Sequence, residues 1–263
     1  MKTIQLEIDS RGVARVTMNR PEVHNAFNRE LMEELHKTFD QLGQDPAVRV
    51  IVLQGSGKNF SAGADITWME AQVHATKEEN MANARQLQAM LAALDGCPRP
   101  VIARIQGAAL GGGSGLICAA DLAVCSPQSK FGFTEVRLGI IPAVISPYVM
   151  RRLGYTTARA YFLTGSRFDA QEALRIGMVH KVAEDLDAEV ERYVHELLQA
   201  APGAQSRIKK LVQQVWESPF SEQGPLTAAA IAAAWASPEG GTGLQAFLDK
   251  TTPPWVVQAP LNA

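Results

Sequence analysis

The chain has 263 residues, of which 46% are hydrophobic and 20% charged, with a net charge of −2. That balance supports a packed core in one large domain, or a domain with an appendage, and excludes extended disorder. The small net charge excludes a general attraction to nucleic acid or to an anionic membrane.

At the N-terminus, "TIQLEID" and "GVARVTMN" predict two strands joined by a turn around Ser10 to Gly12. The chain enters this pattern without a signal-peptide core, so the expectation is a soluble cytoplasmic protein. From Asn28 a helix follows, with Leu31, Leu35, Phe39 and Leu42 on one face. "VRVIVLQG" is a nearly continuous apolar run, which suits a strand buried on both faces. "SGKNFSAGAD" reads as a loop, and a helix is predicted over 78–95 with Met81, Leu87, Met90, Leu91 and Leu94 mostly inward.

Pro98 and Pro100 end that helix, and "VIARIQG" predicts a second buried strand. A short helix over 113–120 and a strand at "DLAVCS" follow. Strand, glycine-rich loop and helix thus occur twice, a weak repeat of the α/β kind with helices crossing between parallel strands.

Beyond about residue 140 the strand signals nearly stop, "MVHKVA" (178–183) being the last. Helices are predicted around 145–153, 157–164, 169–176, 186–200, 204–217 and 225–237. The longest apolar run, 140–150, holds two prolines and is too short to span a bilayer. The division expected is a sheet-based core over 1–200 and a helical region over 201–263. The alanine-rich "LTAAAIAAAWA" and "GLQAFLDK" of that region predict packing against the core or a neighbouring subunit.

Cys97, Cys118 and Cys125 form no Cys-x-x-Cys pair and read as small buried thiols. The five histidines are scattered without an i, i+4 pair, so no metal site is expected. Two glycine-bearing loops carry more chemistry. In "AALGGGSG" (108–115) the glycines free the backbone just before a helix, whose first N–H groups stabilise an oxygen anion. In "FSAGADI" (60–66) three small residues leave backbone N–H groups unobstructed, and Asp65 is placed to cap a helix. Each loop alone reads first as a tight turn. As a pair after two buried strands, they point to the carboxyl ends of adjacent parallel strands, where open α/β sheets bind ligands.

Two motifs fail. "GSGK" (55–58) has Val52 where a phosphate-binding loop needs its first glycine, and "GGSGL" ends on Leu116 where a nucleophile elbow needs glycine. Glu135, in "KFGFTEVRLGIIP" (130–142), reads either as a general acid/base or as a solvated surface carboxylate.

Taken together, five blocks resemble the crotonase, or enoyl-CoA hydratase/isomerase, family. They are "NRPEVHNAFN" (19–28), "GSGKNFSAGADI" (55–66), "IQGAALGGGSGLICAADLAVCS" (105–126), "KFGFTEVRLGIIP" (130–142) and "LTGSRFDAQEALRIGMVHKV" (163–182). Their order and spacing make the likeness specific, and it covers essentially the whole chain.

The resemblance implies an α/β spiral of ββα units with a C-terminal helical region that assembles trimers, often paired into hexamers. It implies an acyl-CoA thioester as substrate, CoA being part of the substrate and no cofactor or metal being needed. Backbone N–H groups at the positions matching Ala64 and Gly112 would hold the thioester oxygen. Ala62, Asp65, Ile66 and Gly115 are candidate substrate-binding residues beside them, with Lys250 near the CoA phosphates. Hydratases of the family carry two glutamates, and the matching positions here are Gly115 and Glu135, so one acid is absent. The missing side chain is expected to leave room beside Glu135 for a substituent on the substrate's β-carbon.

"PAVISPYV" (142–149) is similar to a bacterial branch of methylglutaconyl-CoA hydratases, near the isohexenylglutaconyl-CoA hydratases of terpene catabolism. The expected function is therefore hydration of a branched 2-enoyl-CoA such as a 3-substituted glutaconyl-CoA, in leucine or acyclic terpene breakdown. Arg137, Arg151 and Arg152 are the cations near enough in sequence to meet its second carboxylate. Alternatives on the same scaffold are a 3-enoyl to 2-enoyl-CoA isomerase using the single glutamate, and a thioester hydrolase or decarboxylase. An RNA-binding role would need a basic stripe, whereas Lys77 and Arg85 share their helix with Glu78 and Glu79.

Overall fold

A computed structural model describes residues 1–257, so 258–263 of the predicted helical region lie outside the described residues. β1 (Ile4–Ile8) and β2 (Val13–Met18) form the predicted hairpin, with Ile4 opposite Met18. α1 (Arg29–Gln44) crosses to β3 (Val50–Gly55), which runs parallel to β2. The Asn28 side chain caps α1 by accepting the Leu31 N–H, and Leu31, Leu35, Phe39 and Leu42 are buried as the spacing required.

α2 (Ile66–His74) and α3 (Lys77–Asp95) lead to β4 (Val101–Ile105), parallel to β3. Then come β5 (Ala108–Leu110), α4 (Gly112–Ala119) and β6 (Leu122–Cys125), the last parallel to β4. After β7 (Lys130–Gly132) the chain makes a 3-10 turn, Glu135–Leu138, and enters α5 (Ser146–Leu153) and α6 (Tyr155–Thr164). β8 (Arg167–Asp169), α7 (Ala170–Arg175), β9 (Lys181–Val182) and α8 (Leu186–Gln199) follow.

The strands make two sheets. One has six strands in the order β1-β2-β3-β4-β6-β9, the other three in the order β5-β7-β8. Burial explains the continuous apolar strands. Ile51 and Leu53 of β3 face the main core with α1 and α3, while Val50 and Val52 face Val190, Val194 and Leu198 of α8 on the other side. The result is a mixed α/β architecture followed by a C-terminal helical region.

That region holds α9 (Pro202–Glu217), α10 (Phe220–Trp235) and α11 (Pro238–Leu248), which pack on one another. The Lys209 ammonium pairs with Asp121 at 2.7 Å, and Arg49 donates to the carbonyls of Ala200 and Trp255, both at 3.0 Å.

Several expectations are corrected. Met81 is exposed, because only the C-terminal part of α3, at Met90, Leu91 and Leu94, is buried over the core. β5, β7 and β8 were not predicted; at three residues each they carry no periodic signal. α10 begins at Phe220, with Pro225 inside it. α11 forms despite Gly240, Gly241 and Gly243, because Ser237 accepts the Gly240 N–H and Pro238 pre-sets the first turn.

Candidate active site

The two glycine-bearing loops leave the carboxyl ends of the parallel neighbours β3 and β4, as their sequence context predicted. Backbone hydrogen bonds stitch them together. Ser61 N–H donates to the Ala108 carbonyl at 3.1 Å, and Leu110 N–H donates to the Ser61 carbonyl at 3.0 Å. On its other side the first loop pairs with Phe27, whose N–H donates to the Gly63 carbonyl and whose carbonyl accepts the Asp65 N–H.

This parallel bridge determines what Ala64 can do. The bonds to Phe27 come from Gly63 and Asp65, so the Ala64 N–H points away from the ladder. Among the described residues nothing accepts it. The Gly112 N–H, at the first position of α4, also lacks an acceptor among them, as the first amides of a helix do. Two fixed donors thus border one cavity. A donor of this kind, aimed at developing negative charge, lowers a barrier by about 3 kcal/mol.

Glu135 opens the 3-10 turn after β7 and faces the same cavity. Its carboxylate lies against Gly111, where a Cβ would approach Oε1 to 3.1 Å. Gly111 also has φ +51°, a conformation that favours glycine, and a side chain there would displace the carboxylate by a few tenths of an ångström. Oε2 is buried and accepts no hydrogen bond from the described residues. Burial pushes the Glu135 pKa up, against a smaller opposing effect of its own backbone N–H. A carboxylate held this way exchanges protons more readily than a solvated one.

The cavity is about 210 Å³, and among the described residues Glu135 is the one titratable side chain lining it. Phe27, Met32, Trp68, Leu87, Leu138 and Ile145 make much of the wall apolar. A larger groove of about 810 Å³ runs between α9 and the ends of α4 and α5. Its carboxylates are already paired, Asp121 with Lys209 and Asp95 with Arg151, so it offers no free acid.

Of the residues singled out in the sequence, Ala62, Ala64, Gly112 and Glu135 come together here. Asp65, Ile66, Gly115 and Lys250 do not line the cavity. The Asp65 carboxylate caps α2, accepting from Thr67 and Trp68 N–H, and pairs with Arg20. Ile66 is 78% exposed and points outward. Lys250 is exposed just beyond α11 with φ +54°.

Gly115 requires a correction. Its missing side chain leaves no room, because Ile145 fills the space: a Cβ at 115 would lie 2.9 Å from the Ile145 Cβ and closer still to Cγ2. An aliphatic wall stands where a second acid was sought. None of the three candidate cations lines the cavity either. Arg151 pairs with Asp95, and Arg152 is half-buried and donates to the carbonyls of Met178, Ala120 and Asp121. Arg137 packs its side chain beside Gly165.

Sequence reading missed the supports of the site. Arg20 donates to the Ala26 carbonyl at 2.6 Å and to Asp65 at 2.8 Å, clamping together the two loop segments whose bridge presents Ala64. Asn25, fully buried, bonds Arg20 N–H and the carbonyls of Ser56 and Asn59. Both lie in "NRPEVHNAFN", and the signal available was a polar pair beside an apolar core position. The three cysteines are buried as expected, and burial pushes the thiols of Cys118 and Cys125 up to about 12, leaving them unreactive.

The sequence model described as "Enoyl-CoA hydratase/isomerase" matches residues 9–258. A solved enoyl-CoA hydratase from Shewanella pealeana is 37% identical, with TM-score 0.93 and 96% of each chain covered. AtuE from Pseudomonas aeruginosa is 36% identical, with TM-score 0.93, 97% of this chain and 100% of that one being covered. The trans-2-decenoyl-acyl-carrier-protein isomerase of Streptococcus mutans is 31% identical, over 84% of each chain. A lone carboxylate facing two free backbone donors is an arrangement both hydratases and isomerases can use, and the chain belongs to the enoyl-CoA hydratase/isomerase family.

Proposed function

We propose that the chain hydrates a branched 2-enoyl-CoA, with a 3-substituted glutaconyl-CoA such as 3-methylglutaconyl- or isohexenylglutaconyl-CoA as the best candidate. The observation that carries this reading is the position of Glu135, which lines one cavity with Ala64 and Gly112 and whose buried Oε2 accepts no hydrogen bond from the described residues. In hydration, Glu135 takes a proton from water as the oxygen bonds to the β-carbon. Negative charge moves to the thioester oxygen, held by the two N–H groups, and Glu135 returns a proton to the α-carbon. CoA arrives with the substrate, and no cofactor takes part in these steps.

With Ile145 in place of a second acid, the water needs another partner. The distal carboxylate of a glutaconyl chain supplies one, and among the described residues no cation lines the wall to engage it instead. Crotonyl-CoA lacks this group. The expected result is a kcat/KM for 3-methylglutaconyl-CoA above that for crotonyl-CoA by about tenfold or more. Equal efficiency would remove the substrate's carboxylate from the mechanism.

A second reading, the 3-enoyl to 2-enoyl-CoA isomerase, is favoured by the apolar wall around a single carboxylate and by the likeness to the Streptococcus mutans isomerase. A double-bond shift without water addition, seen as new absorbance of the conjugated 2-enoyl thioester at unchanged mass, would promote it. We also propose assembly as a homotrimer or a hexamer. Trp216, Phe220, Trp235 and Phe247 of α9 to α11 are each at least 66% exposed, more apolar surface than one small region of a monomer usually shows. Sedimentation at micromolar concentration is expected to show three or six copies, and a monomer would defeat this.

A further inference from the structure

We infer that Gly115 and Ile145 act as a pair that sets the depth of the acyl chamber, and with it the branching and length of the chain accepted. Ile145 directly precedes α5, is 2% exposed, and lines the cavity with Glu135 and Gly112. Opposite it, Gly115 sits in α4, whose residues 113–119 are all buried. A Cβ at 115 would stand 2.9 Å from the Ile145 Cβ, whereas carbon atoms pack at about 3.5–4 Å. Ile145 can therefore stand this deep only because residue 115 has no side chain.

The two positions are coupled in one direction. α4 is enclosed by the core and has nowhere to retreat, so an added methyl at 115 drives Ile145 outward. Ile145 is β-branched and stiff at χ1, so it moves as a unit. The cavity is the open volume it borders. A larger residue at 115 thus makes a shallower chamber, and a smaller residue at 145 makes a deeper one, without touching Glu135 or the two backbone donors. The inference rests on the reading that this cavity holds the acyl chain, and it is independent of whether the enzyme hydrates or isomerises.

The test uses Gly115→Ala, Ile145→Ala and the double variant in the full-length protein. Affinities for butyryl-CoA, 3-methylbutyryl-CoA and octanoyl-CoA are measured by calorimetry, alongside kcat/KM for the matching 2-enoyl thioesters. Ile145→Ala is expected to raise the ratio of long or branched to short-chain affinity by about tenfold, the worth of an added methylene or two. Gly115→Ala is expected to lower that ratio by a similar factor, and the double variant to return it toward wild type. Should Gly115→Ala fail to fold, Ile145→Ala and the double variant still carry the comparison. An unchanged ratio in Ile145→Ala, with acyl-CoA still bound, would overturn the pairing alone. No acyl-CoA binding by the wild type would overturn the functional reading and the pairing with it.

Discussion

Replacing Glu135 with glutamine is expected to lower turnover by about 10²–10⁴-fold while acyl-CoA binding persists. The amide has nearly the same shape but cannot exchange a proton. As a general base the glutamate must be ionised, and burial raises its pKa above the ordinary 4.5. The acidic limb of kcat/KM should therefore lie above the usual carboxylate range in the wild type and disappear in the variant. Stability should respond in the opposite sense. From 4.5 up through the raised pKa the native state holds the proton that the unfolded state has lost, so stability falls as pH rises. Above that window the cost of burying the charge is present in full. Glu135→Gln removes it, so the variant should melt higher than wild type at pH 7–8, with the gap closing below pH 4.5. Turnover near the wild-type rate would take Glu135 out of the mechanism. A melting advantage that persists at pH 4 would show that burial of charge is not its source.

What was legible in the sequence was whatever repeats or punctuates. The apolar spacing of α1 and the continuous run of β3 could be read because each depends on neighbours within one element. The two loops could be placed together because adjacent parallel strands put their ends side by side. The acid could be named but not weighed: Glu135 is a catalytic candidate only because Gly111 lets its carboxylate lie against the backbone in an apolar cavity. The meaning of Gly115 was misread for the complementary reason. A glycine in a sequence shows a missing side chain, whereas Ile145, thirty residues later, decides whether space is left behind. Arg20 was passed over because its partner Asp65 is forty-five residues away. Such long-range pairs have no period to read, and they supply much of the support for the site.

The Arg20–Asp65 pair should prove the strongest single support of the donor at Ala64. The side chains are 16% and 10% exposed and meet at 2.8 Å. Burial works to raise the Asp65 pKa, yet the Arg20 contact and the N–H groups of Trp68 and Thr67 outweigh it and hold the pKa below 3.8. The pair's contribution is therefore complete above pH 3.8 and is lost as pH falls through the lowered value. Arg20→Met leaves a buried carboxylate without its partner, which costs about 3–5 kcal/mol of stability at pH 7. It also removes the bond to the Ala26 carbonyl that clamps the segment bridged to Gly63 and Asp65. With Ala64 no longer fixed, turnover should fall by about 10²-fold or more, in line with losing one oxyanion donor. Asp65→Asn keeps an acceptor for the α2 cap and should cost less in both respects. Adding it to Arg20→Met removes the stranded charge, so the double variant should regain stability without regaining turnover, because the clamp is still missing. The informative measurement is kcat against KM in protein confirmed as folded by its melting curve. A stability loss with kcat unchanged would confine Arg20 to the architecture of the loop and detach it from the charge that develops on the thioester oxygen.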